Sequence, residues 1–449
     1  IENPCDLILY PENEEQIERI LELSKGNYIA VIPYGGGTSV VGGVEPSSNS
    51  ERVISLDLKR MNKILKIDVV SSTFTSQPGI KGPELEKHLN VKGFTLGHFP
   101  QSFEFSTLGG WIATRGAGQQ SCGYEKIEDM VISIRVVTPE GVIETKNTPA
   151  SASGPNLKEL LVGSEGCFGV ITCATLRIRE IPEIFYYFGV LFKNFEDGVN
   201  AIREISQRTS PTMIRLSDSD EVRFGIALRE RKDFRAKMVE DFEISLLKRL
   251  GYSLENGSLA IIGIEGKKDS VNFRKKVVSE ICKRNHAFNL GKGIGNMWLK
   301  ERFEHPYLRD LLLDKCIMVD TLETATTWKN LLNLYQNLKK TIELAIKDTG
   351  CKPLVLTHIS HTYREGASLY FTFLSEQLKD RELEQWLRIK EKATECIMKN
   401  GGTLSHHHGI GSLHAKWIKR EHGEGGLRIL KSLKRTLDRE GIMNPGKVL

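Results

Sequence analysis

No stretch of the 449-residue chain reaches the roughly 18 consecutive apolar residues that a membrane-crossing helix needs. No CxxC pair or other close metal spacing occurs among the eight cysteines, Cys5, Cys122, Cys167, Cys173, Cys282, Cys316, Cys351 and Cys396. Thiols so scattered in a long chain read as reduced and buried, in a reducing compartment. Basic residues are dispersed, as around positions 229–235 and 416–420, without the aromatic interleaving of a nucleic-acid surface, so nucleic acid is excluded as a partner. No internal repeat of about 20 to 50 residues is visible, which argues against a solenoid. The Rossmann fingerprint is missing too. Gly291-Lys292-Gly293-Ile294-Gly295 imitates it, but no clear buried strand precedes it, and it reads as a loop.

The length exceeds what one core usually supports, so two or three domains are expected. With 40% hydrophobic and 27% charged residues the composition is that of a globular protein, which leaves little room for disorder. A net charge of +5 suits a phosphorylated substrate or an anionic membrane surface. The chain begins at Ile1 rather than Met, so it is read as a fragment or a processed product.

Along the first 180 residues short strands and helices alternate with glycine-rich turns. Residues 13–23 read as an amphipathic helix, 28–33 as a buried strand, 52–56 and 74–77 as strands and 82–88 as a polar helix. Residues 131–138 and 142–145 form a hairpin about Pro139-Glu140-Gly141. Residues 157–161 read as helical, 163–169 as a tight loop and 170–178 as a strand. From Pro182 the character changes to strands alternating with longer helices, such as 233–250 and 328–347. The last fifty residues return to a Gly/His loop and a helix over 427–439.

Three glycine clusters carry the first functional signal. After the strand at 28–33 comes Pro33-Tyr34-Gly35-Gly36-Gly37-Thr38-Ser39. Glycines there let backbone N–H groups converge on an anion, and the hydroxyls of Thr38 and Ser39 add donors. The second cluster is Pro100-Gln101-Ser102-Phe103-Glu104-Phe105-Ser106, leading into Thr107-Leu108-Gly109-Gly110-Trp111 and Ala113-Thr114-Arg115-Gly116. The third is Gly163-Ser164-Glu165-Gly166-Cys167-Phe168-Gly169-Val170-Ile171. A dinucleotide needs several such close backbone contacts, for its pyrophosphate, its sugar chain and its ring.

A second signal is histidine. Seven of the eleven histidines fall between 358 and 422, three of them consecutive in Ser405-His406-His407-His408-Gly409-Ile410-Gly411. Adjacent imidazoles on Gly-flanked backbone suit proton transfer or anion binding near neutral pH. Consecutive residues rarely all reach one ion, and no metal is expected. Upstream, Thr357-His358-Ile359-Ser360-His361-Thr362-Tyr363-Arg364 precedes an alternating strand at 368–373, and the histidine loop is expected to hydrogen-bond and tune the Tyr363 phenol as acid or base.

The PYGGGTS, STLGGW and GSEGCFGVIT stretches resemble the FAD domain of the vanillyl-alcohol-oxidase and p-cresol-methylhydroxylase superfamily. The resemblance implies an α+β fold, with a split two-subdomain FAD-binding domain of the vanillyl-alcohol-oxidase type and an α+β cap domain. The expected division is residues 1–183 for FAD, 184–400 for the cap, and 401–449 returning to the flavin. No His flanks the GGG turn, so the FAD is expected to be non-covalent. Within the superfamily, flavin-dependent 2-hydroxy-acid dehydrogenases or oxidases are the alternative. They carry a Glu-His-Gly-x-Gly loop and an upstream His-x6-His metal pair; here His407 replaces the Glu and Ser368 stands seven residues after His361.

The whole set, including Met213-Ile214-Arg215-Leu216-Ser217-Asp218, Tyr307-Leu308-Arg309-Asp310, Leu322-Glu323-Thr324, THISHTYREGA and TLSHHHGIG, resembles the alkyldihydroxyacetonephosphate synthase (alkylglycerone-phosphate synthase) family over essentially the entire chain. That family is a transferase of ether-lipid biosynthesis. It exchanges the acyl group of 1-acyl-dihydroxyacetone phosphate for a long-chain fatty alcohol through a flavin N5 adduct, with no net redox change. The resemblance implies Tyr363 as general acid/base, His406, His407 and His408 as its essential loop, Arg309 on the substrate phosphate and Arg215 in a supporting place. It assigns Pro33–Ser39, Pro100–Ser106, Ala113–Gly116 and Glu165–Ile171 to the cofactor. It further implies a homodimer in peripheral contact with membrane, located in the peroxisome, or in the glycosome of kinetoplastids.

Overall fold

The structure, a computed structural model, describes every residue except 1, 2, 48, 229–248, 250, 254 and 305–307. The helix expected over 233–250 therefore lies outside the described residues, Arg249 apart. By its contacts the chain divides into two units: Ile1–Gly118, Tyr124–Ile181 and His407–Leu449 form the first, Gln119–Gly123 and Pro182–His406 the second.

The first unit is built on two main sheets, with a further two-stranded pair of Phe94–Thr95 and Arg179–Glu180. Strands Leu7–Leu9, Val53–Asp57 and Ala30–Tyr34 pair in parallel, in that order across the sheet. Helix Glu14–Asn27 connects the first strand to Ala30–Tyr34; Asn13 caps its N-terminus by accepting from the Gln16 N–H, and Ile17, Leu21 and Ser24 make its buried face. The chain end returns to this sheet. Val31 N–H donates to the Ile442 carbonyl (2.8 Å), and Asn444 N–H donates to the Val31 carbonyl (2.9 Å). The second sheet is antiparallel, in the order Ile64–Asp68, Thr73–Ser76, Val170–Arg177, Val131–Thr138 and Gly141–Glu144. Ile17, Leu21, Val31, Leu56, Val137, Val170, Ile442 and Met443 share one buried cluster, so both sheets and the C-terminal segment close on a common core. Each such side chain contributes about 1.5–3 kcal/mol on burial.

The second unit is a seven-stranded sheet in the order Phe288–Gly291, Ile184–Phe192, Ser258–Gly266, Met213–Ser217, Leu354–Thr362, Gly366–Glu376 and Ile317–Thr327. All its neighbours pair antiparallel. Alternation along each strand sends successive side chains to opposite faces. Phe188, Val190, Ile214, Leu216, Ile262 and Ile264 join the main cluster, with Leu331, Leu334, Leu338 and Ile342 of helix Trp328–Lys347. Tyr187, Met213 and Ile261 enter a separate cluster with Ile294, Trp298 and Leu299. The α+β class expected from the sequence is the one observed.

GKGIG is not a loop. Gly291 closes a short edge strand at φ 76°, and Lys292–Glu301 is helical. A Cβ at Gly295 would lie 2.4 Å from the Tyr187 carbonyl carbon. The glycine there serves close packing of helix on strand, which a local reading mistakes for flexibility. The last helix also starts earlier than expected, at Ile418, and runs to Leu437 with a break at Gly423.

Candidate active site

The three glycine clusters converge in the first unit. A Cβ at Gly35 would lie 2.3 Å from Thr107 Oγ1, and one at Gly36 would lie 2.2 Å from the Phe105 carbonyl oxygen. A Cβ at Gly166 would lie 2.9 Å from the Pro33 ring. The first turn therefore packs backbone-close against both the second and third clusters. Among the described residues, the amides of Gly35, Gly36, Gly37, Thr38 and Ser39 donate to no protein acceptor. A run of N–H groups left in this way is a cradle for an anion. Ser39 Oγ accepts from Gly43 N–H at 2.9 Å and closes the turn.

The second cluster folds on itself. Ser102 carbonyl accepts from the amides of Phe105 and Ser106 (both 2.9 Å), and Ser106 Oγ accepts from the Trp111 indole (2.7 Å). Phe99 and Phe103 rings meet at 5.2 Å, near Pro100 and Gln101, and Glu104 lies in the same turn. Thr107 caps the short helix Leu108–Thr114, which ends with Arg115 at φ 51°. Arg115 donates to the carbonyls of Val162 (3.2 Å) and Glu159 (2.9 Å), while the Ile112 and Ala113 carbonyls accept from Gly163 (3.0 Å) and Glu165 (2.9 Å). Arg115 and the amides at 163 and 165 thus lock cluster to cluster.

In the third cluster Glu165 sits at φ 49° and is buried. Its carboxylate accepts from Ile410 N–H (2.5 Å) and Gly411 N–H (2.8 Å), holding the glycine end of the histidine loop. Burial pushes its pKa up to about 6, against those two N–H donors. Cys167 is buried, burial raises its thiol to about 12, and its Sγ lies 3.2 Å from the Lys447 carbonyl. Val170 belongs to the core, Ile171 and Phe168 are buried beside it, and Gly169 at φ 154° packs against the Val137 carbonyl. All eight cysteines are free.

The second unit holds a different chemistry. Strands Leu354–Thr362 and Gly366–Glu376 form a hairpin whose tip carries Tyr363, with Tyr363 N–H donating to the Gly366 carbonyl at 2.8 Å. The Trp328 indole donates to the carbonyls of Tyr363 (3.1 Å) and Arg364 (3.2 Å) and pins the tip. The Tyr363 hydroxyl lies 2.5 Å from His406 Nε2. On the His406 side, the backbone N–H donates to Glu323 Oε2 (2.7 Å) and Ser405 Oγ donates to Glu323 Oε1 (2.7 Å). The His361 ring lies 5.0 Å from the His406 ring, centroid to centroid. Ser368 Oγ accepts from His361 N–H (3.1 Å) and contacts Ser360 Oγ (2.8 Å).

The model of the FAD binding domain matches residues 5–146, and that of the C-terminal domain of FAD linked oxidases matches residues 181–448. The chain is 41% identical to alkyldihydroxyacetonephosphate synthase of Dictyostelium discoideum over its whole length, covering 74% of that protein. It is similar to a solved alkyldihydroxyacetonephosphate synthase with a TM-score of 0.82 at 40% identity, covering 98% of this chain and 77% of the other. The chain belongs to the alkyldihydroxyacetonephosphate synthase family. Its cofactor is FAD. A structure of p-cresol methylhydroxylase, 15% identical, matches with a TM-score of 0.69 over 98% of this chain and 88% of its own, which shows the split vanillyl-alcohol-oxidase-type fold. The chemistry of the glycine turn fits that cofactor: among the described residues its amides at 35–39 have no protein acceptor, and they are the kind of donor a pyrophosphate takes.

In this member of the alkyldihydroxyacetonephosphate synthase family Arg215 and Arg309 have partners other than the Tyr363–His406 pair. Arg215 Nη2 donates to Glu221 Oε1 (2.8 Å) and lies 3.1 Å from His358 Nδ1. Burial and the Arg215 charge lower the His358 pKa. Burial works against the Glu221 carboxylate, but His358 and Arg215 hold it far below its usual range. Arg309, on helix Leu308–Asp314, is exposed, with Asp310 Oδ1 at 3.7 Å; Tyr307 beside it lies outside the described residues. His407 and His408 belong by chain to the first unit, with ring centroids 4.6 Å apart.

Residue-by-residue reading missed the roles of two groups. Gln120 joins the second unit, donating to Tyr187 Oη (2.5 Å) and Glu265 Oε1 (2.7 Å) and accepting from Arg302 (2.9 Å). Glu323 figured only within a family motif; its available signal was a charged residue inside an alternating strand.

Proposed function

We propose that this chain is an FAD-dependent transferase of ether-lipid biosynthesis. It exchanges the acyl chain of 1-acyl-dihydroxyacetone phosphate for a long-chain fatty alcohol, and releases alkyl-dihydroxyacetone phosphate and a fatty acid. The name borne by its relatives supports the substrate class. The observation that carries the reading is the 2.5 Å bond between the Tyr363 hydroxyl and His406 Nε2. Removing a proton from substrate C1 is difficult, and a phenol with a pKa near 10 is a weak base source at neutral pH. His406 Nε2 accepts the phenolic proton, so Tyr363 Oη takes the C1 proton and later returns it. His407 and His408 complete the loop as further imidazoles for the charge that develops.

FAD, when bound, would supply an electron-accepting ring. The cradle at Pro33, Tyr34 and residues 35–39, with the second and third clusters behind it, holds the dinucleotide. Cys167 is engaged with the C-terminal segment through a protonated thiol, which supports non-covalent FAD. Arg309 takes the substrate phosphate: its guanidinium has no hydrogen bond among the described residues, and its fork suits phosphate oxygens. Arg215, held by Glu221, supports the site.

The same reading sets the enzyme in the peroxisome, or the glycosome, as a homodimer in peripheral contact with membrane, consistent with its charge of +5. Among the described residues no helix is long and apolar enough to cross a membrane. The 2-hydroxy-acid dehydrogenase alternative requires a metal histidine where Ser368 holds His361 N–H.

The test is an anaerobic assay with palmitoyl-dihydroxyacetone phosphate and radiolabelled hexadecanol, recording the flavin spectrum. Labelled alkyl-dihydroxyacetone phosphate without any electron acceptor is expected. No ether product, with flavin bleaching on a 2-hydroxy acid, would transfer the assignment to the dehydrogenase.

A further inference from the structure

Strand Ile317–Thr327 ends the seven-stranded sheet, so one of its edges has no partner strand. Residues 401–406 run along it. Thr326 Oγ1 donates to the Gly401 carbonyl (2.9 Å), Thr403 N–H to the Ala325 carbonyl (3.0 Å) and Thr324 Oγ1 to the Thr403 carbonyl (2.7 Å). Glu323 closes the row by accepting from Ser405 Oγ and His406 N–H, both at 2.7 Å. As the loop advances from 401 to 406, its partners step back along the strand from 326 to 323. The approach is close: a Cβ at Gly402 would lie 2.6 Å from Thr324 Oγ1.

This ladder sets the register of the histidine loop. A slip of one residue would move His406 by about 3.3 Å, beyond reach of the Tyr363 hydroxyl. The last rung lies at His406 itself, and it is a carboxylate buried to 3% exposure, in a sheet position where an unpaired charge is costly. We propose that Glu323 is a positioning residue of the reaction, whose two oxygens fix the His406 imidazole against the Tyr363 hydroxyl. The inference rests on reading Tyr363 and His406 as the proton-transfer pair.

The test uses the FAD-loaded full chain. Glu323→Gln retains the size but offers one acceptor oxygen for two donors. Its kcat for alkyl exchange is expected to fall about 10- to 100-fold, the scale of an ångström's misplacement. KM for acyl-dihydroxyacetone phosphate and FAD content stay at parental values, and the acid limb of the kcat–pH profile moves. On a Tyr363→Phe background, Glu323→Gln is expected to change the residual rate by less than about twofold, because both changes act on one unit. A Glu323→Gln enzyme within about twofold of the parent, or a further tenfold loss in the double variant, overturns the proposal. Full activity of Tyr363→Phe alone overturns the proton-transfer reading, and this inference with it. Should Glu323→Gln not accumulate, Ser405→Ala removes only one of the two contacts. A several-fold fall in its kcat at constant KM supports the positioning role, and parental kcat refutes it.

Discussion

Replacing Tyr363 by Phe removes one oxygen and separates chemistry from stability. The residue is 36% exposed, so it is no buried core side chain. Loss of the hydroxyl's bond to His406 should cost about 0.5–1.5 kcal/mol of stability. The hairpin tip keeps its other ties, because the Trp328 indole and the Gly366 carbonyl engage the Tyr363 backbone. The rate should suffer more. A positioned acid/base contributes about 10²- to 10⁴-fold, which is about 2.7–5.4 kcal/mol of barrier at 1.36 kcal/mol per decade. The assay is single-turnover alkyl exchange at matched FAD occupancy, with a thermal melt of the same preparation. The expected result is a melt shifted by a few degrees at most and a rate at or below about a hundredth of the parent. A residual rate above about a tenth would refute the claim that the phenol moves the proton.

Gly36→Ala places a Cβ 2.2 Å from a backbone oxygen that cannot swing aside, so the first two glycine clusters must part. An overpacking cost of about 1–3 kcal/mol corresponds to roughly 5- to 150-fold weaker FAD binding, read as flavin absorbance of the purified protein. Glu165 titrates at about 6 against an ordinary 4.5. The raised value means that the fold favours the protonated form. Its contribution to stability is full below the ordinary value and is lost as pH rises through 6, by about 2 kcal/mol. Glu165→Gln carries no such proton, so the difference between parent and variant urea midpoints should change between about pH 4 and pH 7.5; parallel curves refute this. Lys434 Nζ donates to Asp438 Oδ2 (2.6 Å) and to the carbonyls of Cys167 (2.7 Å) and Met443 (2.6 Å). Lys434→Met leaves the buried Asp438 without its ion-pair partner, only two backbone amides remaining among the described residues, and should cost about 3–5 kcal/mol, seen as earlier urea unfolding with FAD release.

What could be read from the sequence was local. Helix Trp328–Lys347 announces itself by leucines at helical spacing, and strand Val131–Thr138 by alternation, because each element's pattern lies within its own residues. The three glycine clusters were visible for the same reason, and so was the triple histidine. The same local logic misjudged Gly295. A glycine needed for contact with a distant strand looks, in its own neighbourhood, like a glycine needed for a loop.

The amino-acid sequence by itself determined the class of fold, the order of the glycine clusters and the residue types available for proton transfer. Only the tertiary structure decided which of those residues meet. Tyr363 and His406 are 43 residues apart, and Glu323 lies 83 residues before His406. Gln119–Gly123 leave the first unit and join the second, and Cys167 turns to the chain's last residues, 280 positions away. Such contacts depend on strand register and on how sheets close over a core. These are sums over many distant side chains, and no window of neighbouring residues contains them.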